Sequence, residues 1–287
     1  MVCVGQIVFR EYWLRMTSKH PQLPQDLEAD ILALIHDLAD ASRVIAHDLF
    51  RTDRLETEDK EDESPVTIAD KRIETAWREQ ISAKFPDHGI LGEEFDEKIG
   101  DARVRWVLDP IDGTRQFVYG MPLFGSLIGV MVDDDPLIGC IDIPMTGERW
   151  IGTPSTASTM NGSTNQTAST DTLANARMMA TAPAMFVGDT REPFSRLTNM
   201  CKDVRFGTDC YAYGLLALGH CDLVAEASMK PMDIMALVPI VHQAGGVVTD
   251  WQGAPCTIDG DGTILASANP MLHARALAAL RPSIQQK

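Results

Sequence analysis

The string Trp106-Val107-Leu108-Asp109-Pro110-Ile111-Asp112-Gly113-Thr114 constrains this chain more than any other. An apolar run reads as a strand that delivers Asp109 to its end. Pro110 has no N–H and holds the residue before it extended. Asp112 follows three residues later around a tight turn, and Gly113 takes backbone shapes that other residues resist. Two carboxylates on one short, stiff turn suit a hard divalent cation such as Mg²⁺, which wants oxygen ligands in near-octahedral geometry and keeps some water. The Ile111 carbonyl lies between them and is a further oxygen. After Thr114 the chain reads as a short helix whose free N–H groups face an anion. The bland reading, an Asp-rich turn with a local cap, suits Asp-Pro or Asp-Gly alone but accounts poorly for the whole string.

Three further strings set acids in related surroundings. Ile90-Leu91-Gly92-Glu93-Glu94 puts adjacent acids after a short apolar run, and like charges side by side cost energy unless solvent or a cation offsets them. Lys230-Pro231-Met232-Asp233 puts an acid at the start of an apolar helix, where an N-cap role is compatible with metal binding. Thr67-Ile68-Ala69-Asp70 sets an acid near a hydroxyl, a pairing that can orient and deprotonate a water. Taken singly, each also reads as a surface pair or a helix start.

The charge balance narrows the partners. Forty-one Asp and Glu against 25 Lys and Arg give a net charge of −16 over 287 residues. Phosphate backbones need clustered Lys and Arg, so nucleic acid is excluded as the main partner, and so is electrostatic docking on an anionic membrane. A small phosphorylated substrate remains possible, because carboxylates holding divalent cations make a locally positive site. No window reaches about 18 uninterrupted apolar residues, so no membrane span is expected. Six cysteines form no CxxC pair and read as reduced cytosolic thiols, which gives a cytoplasmic expectation. The apolar stretch at residues 2–9 precedes Arg10, the wrong order for a signal peptide.

The organisation is mixed. Residues 1–24 read as a flexible extension, with a second plausible start at Met16. Residues 25–50, 68–84, 193–201, 211–218, 233–243 and 270–280 carry helical signals. Pro239 must kink or break the fifth of these. Residues 103–109, 124–132, 136–143, 148–152, 176–181, 222–226, 246–250 and 263–267 read as strands, with Asp133-Asp134-Asp135 as a hairpin turn. The acid-rich stretch 53–63 reads as a solvated, mobile loop. The Ser/Thr/Asn-rich stretch 153–176 reads as an exposed connector. Two subdomains follow: an α+β unit over 25–165 with the metal site, and an α/β unit over 166–287 that completes the substrate site. The class is layered α+β or α/β, without the repeat of a barrel. No HExxH, P-loop, GxGxxG or GxSxG string is present, and the seven histidines have no useful ligand spacing.

Asp109-Pro110-Ile111-Asp112-Gly113-Thr114, Gly92-Glu93-Glu94, and Asp233 before an apolar helix ending in Ala244-Gly245-Gly246 together resemble the inositol monophosphatase superfamily, in order over residues 25–280. The resemblance implies a five-layer αβαβα sandwich, a homodimer, and Mg²⁺-dependent hydrolysis of phosphate monoesters with two or three ions. It implies Glu93, Asp109, the Ile111 carbonyl, Asp112 and Asp233 as metal ligands. It pairs Asp70 with Thr114 to activate the attacking water, gives the Gly113 and Thr114 amides to the phosphate, and sets Glu94 near a weakly held third ion.

Within the superfamily, three strings are similar to the histidinol-phosphate phosphatase branch, which acts late in histidine biosynthesis. They are residues 207–217 (Gly-Thr-Asp-Cys-Tyr-Ala-Tyr-Gly-Leu-Leu-Ala), residues 230–241 beginning Lys-Pro-Met-Asp, and Pro122-Leu123-Phe124-Gly125-Ser126 followed by Glu148-Arg149-Trp150. Met232 departs from the Tyr usual in that branch. The resemblance places Gly207, Thr208 and Asp209 at the substrate, Asp209 facing the histidinol ammonium, and matches Glu226 to a substrate-contacting acid. Asp209 also reads as a plain N-cap for the helix at 211–218. An inositol-1-phosphatase, a broad sugar-phosphate phosphatase, a nucleotide bisphosphate phosphatase and a non-catalytic metal-binding regulator remain as alternatives.

Overall fold

The computed structural model describes residues 23–281 except 54, 56 and 60–64. Of the segment read as an extension, residues 1–22 lie outside the described residues, and Leu23 already packs against the core. Helix α1 (Gln25–Leu49) leads to the short strands β1 (Thr57–Asp59) and β2 (Pro65–Thr67), which pair antiparallel. Part of the stretch read as a loop is therefore a hairpin. Helix α2 (Ile68–Lys84) follows, then β3 (Gly89–Gly92), β4 (Val104–Asp112) and α3 (Thr114–Val118). Strands β5 (Gly125–Val132), β6 (Asp135–Ile143), β7 (Glu148–Thr153), β8 (Thr156–Met160) and β9 (Ser163–Thr164) complete a seven-stranded sheet in sequence order from β3 to β9.

The stretch 153–176 is therefore a connector only in its second part. Its first part supplies the two outer strands of the large sheet. They are half-exposed at the sheet edge, and their Ser and Thr side chains suit solvent.

The second half begins with β10 (Arg177–Ala180), α4 (Arg191–Met200), β11 (Asp203–Phe206) and α5 (Tyr211–Ala217). Then come β12 (Leu223–Glu226), α6 (Pro231–Ile234), α7 (Leu237–Gln243), β13 (Val247–Thr249), β14 (Ile264–Ser267) and α8 (Pro270–Leu280). The small sheet has the order β11-β10-β12-β14-β13. The expected helix at 233–243 is thus two helices. The chain breaks at Met235-Ala236, which puts Pro239 third in α7, where a missing N–H costs no intrahelical bond.

Three apolar cores join five layers, the middle one filling both faces of the central helices, so the chain is a layered α/β protein. Ile31, Ile35 and Leu38 of α1 and Ile73 and Trp77 of α2 pack on Trp106, Leu108 and Ile128 of the large sheet. The other face of that sheet, through Val107, Leu127 and Trp150, meets Leu216, Leu237 and Ile240 from the central helices, and these meet Val224 and Ala266 of the small sheet. Leu223, Ala225 and Leu265 turn the opposite way, onto Phe194, Leu197 and Leu277 of α4 and α8. Neighbours on one strand alternate between cores, as a two-residue period requires, and strands buried on both faces read as unbroken apolar runs. Gly139 and Gly152 let the central helices sit directly on the sheet. A Cβ on Gly139 would collide with the Ala236 carbonyl, and one on Gly152 would lie 2.5 Å from Ile240 N.

Candidate active site

Strand β4 does not stop at Asp109. It runs through Pro110 to Asp112, with an irregular register against β5 between those two acids. Such a bulge re-aims side chains. The Pro110 carbonyl, which lies within it, accepts from Ser126 Oγ at 2.7 Å. Gly113 then turns at φ 85° and opens α3.

Asp233 comes from the other half. It is the third residue of α6, and its Oδ2 accepts the backbone N–H of Lys230 at 2.7 Å. Ligand oxygens of Asp109, Asp112 and Asp233 lie within 4.8 Å of one another. They line a cavity of about 180 Å³ together with Glu93, Ile111 and Thr114. Asp109 is 2% exposed, and its Oδ1 has no hydrogen-bond partner.

The charges are crowded. Burial, then repulsion from Glu93 and Asp112, pushes Asp109 well above the usual carboxylate range. Burial and Asp209 push Asp112 up to about 8. Burial and Asp112 push Asp233 up to about 7. A set of hard oxygens, mutually repelling and holding one orphaned buried acceptor, fits a divalent cation.

Asp70 is 1% exposed at the start of α2. Its Oδ2 accepts from Thr67 N at 2.9 Å and from Thr67 Oγ1 at 2.6 Å. The Thr114 hydroxyl lies 3.5 Å from Asp70 Oδ1 and 3.1 Å from the Ile111 carbonyl. Burial lifts Asp70 to about 7, and Glu94 adds to the rise. Lys230 Nζ lies 3.5 Å from Glu93 Oε1.

Around the mouth, a second cavity of about 420 Å³ shares Glu93, Thr114, Asp209 and Asp233 with the first and adds Gln116, Tyr119 and Met121. Asp209 is not a helix cap. The N-cap of α5 is Cys210, without a side-chain bond. Asp209 instead sits at φ 42° and accepts from Gln116 Nε2. Burial and Glu226 lift it to about 7.

Glu226 lines the inner cavity but is fully buried. Its oxygens accept from Thr181 N at 2.7 Å and Tyr213 Oη at 2.8 Å. Gly207, at φ 86°, lines the outer cavity and donates its N–H to the Thr181 carbonyl. Thr208 lines neither cavity, and its Oγ1 is buried without a partner.

Thus Glu93, Asp109, Ile111, Asp112, Gly113, Thr114, Asp209, Glu226 and Asp233 converge on one cavity. Thr181, which lines both cavities, and Gln116, which lines the outer one, carry no motif in the sequence, while Tyr213, which lines the inner one, lies within the 207–217 string without a role of its own there. Glu74 carries no motif either, although it lies four residues after Asp70, a spacing that marks one helix face.

The family model described as the inositol monophosphatase family matches residues 28–285. The chain belongs to the inositol monophosphatase family. It is 38% identical over 275 residues to "Bifunctional phosphatase IMPL2, chloroplastic" of Arabidopsis thaliana, covering 92% of this chain and 79% of that one. It is 36% identical over 250 residues to a histidinol-phosphatase of Chlorobaculum parvum, covering 87% and 96%. The solved inositol monophosphatase of Zymomonas mobilis superposes with a TM-score of 0.80 at 41% identity, covering 88% and 98%. As a member of the inositol monophosphatase family the chain is a phosphoric monoester hydrolase. Among the described residues no helix is long and apolar enough to cross a membrane.

Proposed function

We propose that this phosphatase is a Mg²⁺-dependent histidinol-phosphate phosphatase. The observation that carries the metal part is the convergence of Asp109, Asp112 and Asp233 within 4.8 Å around an unpartnered Asp109 oxygen. On this reading Glu93, Asp109, the Ile111 carbonyl, Asp112 and Asp233 hold two or three Mg²⁺, with Glu94 nearest the weakest site. When bound, Mg²⁺ lowers the pKa of water and neutralises charge on the phosphate and the leaving oxygen.

The chain's own groups do the rest. The Thr114 hydroxyl orients the attacking water and relays its proton to Asp70, whose value of about 7 suits a base at neutral pH. The amides of Gly113 and Thr114 receive the phosphate.

The choice of ester rests on Asp209. Freed from capping α5 and present in both cavities, it offers a carboxylate to an ammonium on the leaving group. Glu226 and Gly207 line the cavities beside it. The histidinol-phosphatase of Chlorobaculum parvum supports this ester. The Zymomonas neighbour, named an inositol monophosphatase, favours inositol-1-phosphate or a broader sugar phosphate as the second reading.

A homodimer follows from the resemblance, and sedimentation tests it. A cytoplasmic setting suits the cysteines, since Cys140, Cys201, Cys210, Cys221 and Cys256 are free thiols. The ester itself is tested by comparing kcat/KM on histidinol phosphate and inositol-1-phosphate. A preference of roughly two orders of magnitude or more for the former agrees with a charge-recognising site, and parity contradicts it.

A further inference from the structure

Glu74 lies one helical turn beyond Asp70 on α2 and lines neither cavity. It is nevertheless a fully buried carboxylate, which is costly unless its oxygens are paired. Oε1 accepts from Arg78 Nε at 2.7 Å. Oε2 accepts the backbone N–H of Glu94 at 2.8 Å. Arg78 extends the same link, since its guanidinium donates to the Phe95 carbonyl at 3.0 Å. One ion pair on α2 therefore clasps the backbone just after Glu93 at both an N–H and a C=O. Gly92 completes the fit, because a Cβ there would collide with the Glu74 carboxylate. The turn lies closer to the acid than any side chain at that position permits.

We infer that Glu74, acting with Arg78, is a positioning residue that fixes the Gly92-Glu93-Glu94 turn so that Glu93 faces Asp109 and Asp233 across the cavity. An apolar contact would hold the helix on the turn. A carboxylate bonded to a backbone N–H also fixes the direction of the next peptide, and so where the Glu93 side chain starts. Because Asp70 sits on the same helix, one rigid element sets both Glu93 and the acid beside the Thr114 hydroxyl. The inference rests on the metal reading of the cavity.

The test uses the full chain, with Mn²⁺ binding followed by electron paramagnetic resonance and the Mg²⁺ activity midpoint measured beside it. Glu74→Met keeps the length and removes the acceptor. Glu74→Gln keeps a carbonyl for the Glu94 N–H. Glu74→Met is expected to weaken Mn²⁺ binding by about 10- to 100-fold, the scale for losing a group that orients a ligand. The Mg²⁺ midpoint should rise in step, while KM for the ester at saturating Mg²⁺ stays where it is. Glu74→Gln should recover most of the affinity.

Unchanged Mn²⁺ affinity in folded Glu74→Met, or equal loss in both variants, overturns the inference. Should Glu74→Met fail to fold, Arg78→Gln carries the test from a partly exposed position. Weaker Mn²⁺ binding supports the clasp and unchanged binding overturns it. A wild-type protein that binds no Mn²⁺ overturns the metal reading itself, and the clasp with it.

Discussion

Asp112 Oδ2 accepts the backbone N–H of Cys210 at 2.6 Å. That bond ties the acid-bearing end of the large sheet to the helix lying between the two sheets. Asp233 has a matching structural bond, from Lys230 N. Both acids therefore have a structural partner that a neutral amide oxygen can also satisfy.

Asp112→Asn and Asp233→Asn should accordingly remove activity without unfolding the chain. Each substitution puts a neutral amide where burial and like charges already push the carboxyl toward its neutral form, so in EDTA the variants should melt no lower than the wild type. With Mg²⁺ present, kcat/KM should fall by roughly 10³-fold or more, matching several kcal/mol of lost transition-state stabilisation. Paired thermal melts and phosphate-release assays check this, and full activity in either variant refutes the metal assignment.

Asp70 and Thr114 should act as one unit. Asp70→Asn and Thr114→Val are each expected to lower kcat by about 10²- to 10⁴-fold, the usual scale for a positioned base, with KM nearly constant. Thr114→Ser keeps the hydroxyl and should retain most of the rate. Single-turnover kinetics at saturating Mg²⁺ separate these outcomes, and an undiminished kcat in Asp70→Asn would remove it from the mechanism.

The site makes metal-free stability depend on pH in an unusual direction. Burial lifts Asp70, Asp209 and Asp233 to about 7 and Asp112 to about 8. Above the ordinary carboxylate value of about 4 the unfolded chain has released these protons while the fold still holds them. The stability they contribute is complete below that value and is lost as pH rises through 7 to 8. His273, pushed down to about 3 by burial, works in the opposite sense, but only below its ordinary value of 6.5. Between about pH 6.5 and 8.5 the site therefore dominates. In EDTA the Tm should fall across that range, and Mg²⁺ should abolish the fall, since metal replaces the protons. A flat Tm in EDTA would contradict the crowding.

Asp209→Ala should raise KM for histidinol phosphate far more than for an uncharged sugar phosphate. Gln116→Ala, which removes the donor to Asp209, should shift the same ratio less. Initial-rate measurements on both esters decide it. Equal effects on the two would leave Asp209 as a packing residue against Gly113, whose added Cβ would lie 3.3 Å from Asp209 Cγ.

Packing gives a prediction unrelated to catalysis. Gly139→Ala drives a methyl into the Ala236 carbonyl and should cost about 3 kcal/mol, at the upper end for overpacking. At Gly129 the Cβ would meet Ala236 N at 3.1 Å, so Gly129→Ala should cost less. Urea unfolding of the two variants tests the order.

The sequence was most legible where physics is local. The cap at Thr67 and Asp70, the helix at 270–280 and the left-handed turn at Gly113 follow from neighbouring residues, whereas the tight turn expected between Asp109 and Asp112 is a bulged continuation of β4. Strands β8, β9 and β11 were not legible. The Ser and Thr of β8 and β9 mark no apolar face, β11 carries only Val204 and Phe206 on one, and all three are strands because each lies against a neighbour already in a sheet. The break at Met235-Ala236 was misplaced onto Pro239, since a proline in a first turn leaves no mark that differs from one in a helix interior. Asp209 could not be divided between cap and site, because the choice depends on Gln116, distant in sequence. Glu74 was hidden for the same reason. Its partner is the backbone of a turn that the helix meets only in the folded chain.

The central claim is tested most directly by phosphate release with Mg²⁺ and with EDTA, on histidinol phosphate, inositol-1-phosphate and adenosine 3′,5′-bisphosphate in parallel. Turnover should vanish in EDTA, with histidinol phosphate ahead by orders of magnitude in kcat/KM. Comparable rates on inositol-1-phosphate would contradict the ester assignment and leave the metal chemistry standing. Undiminished turnover in EDTA would contradict the account at its base.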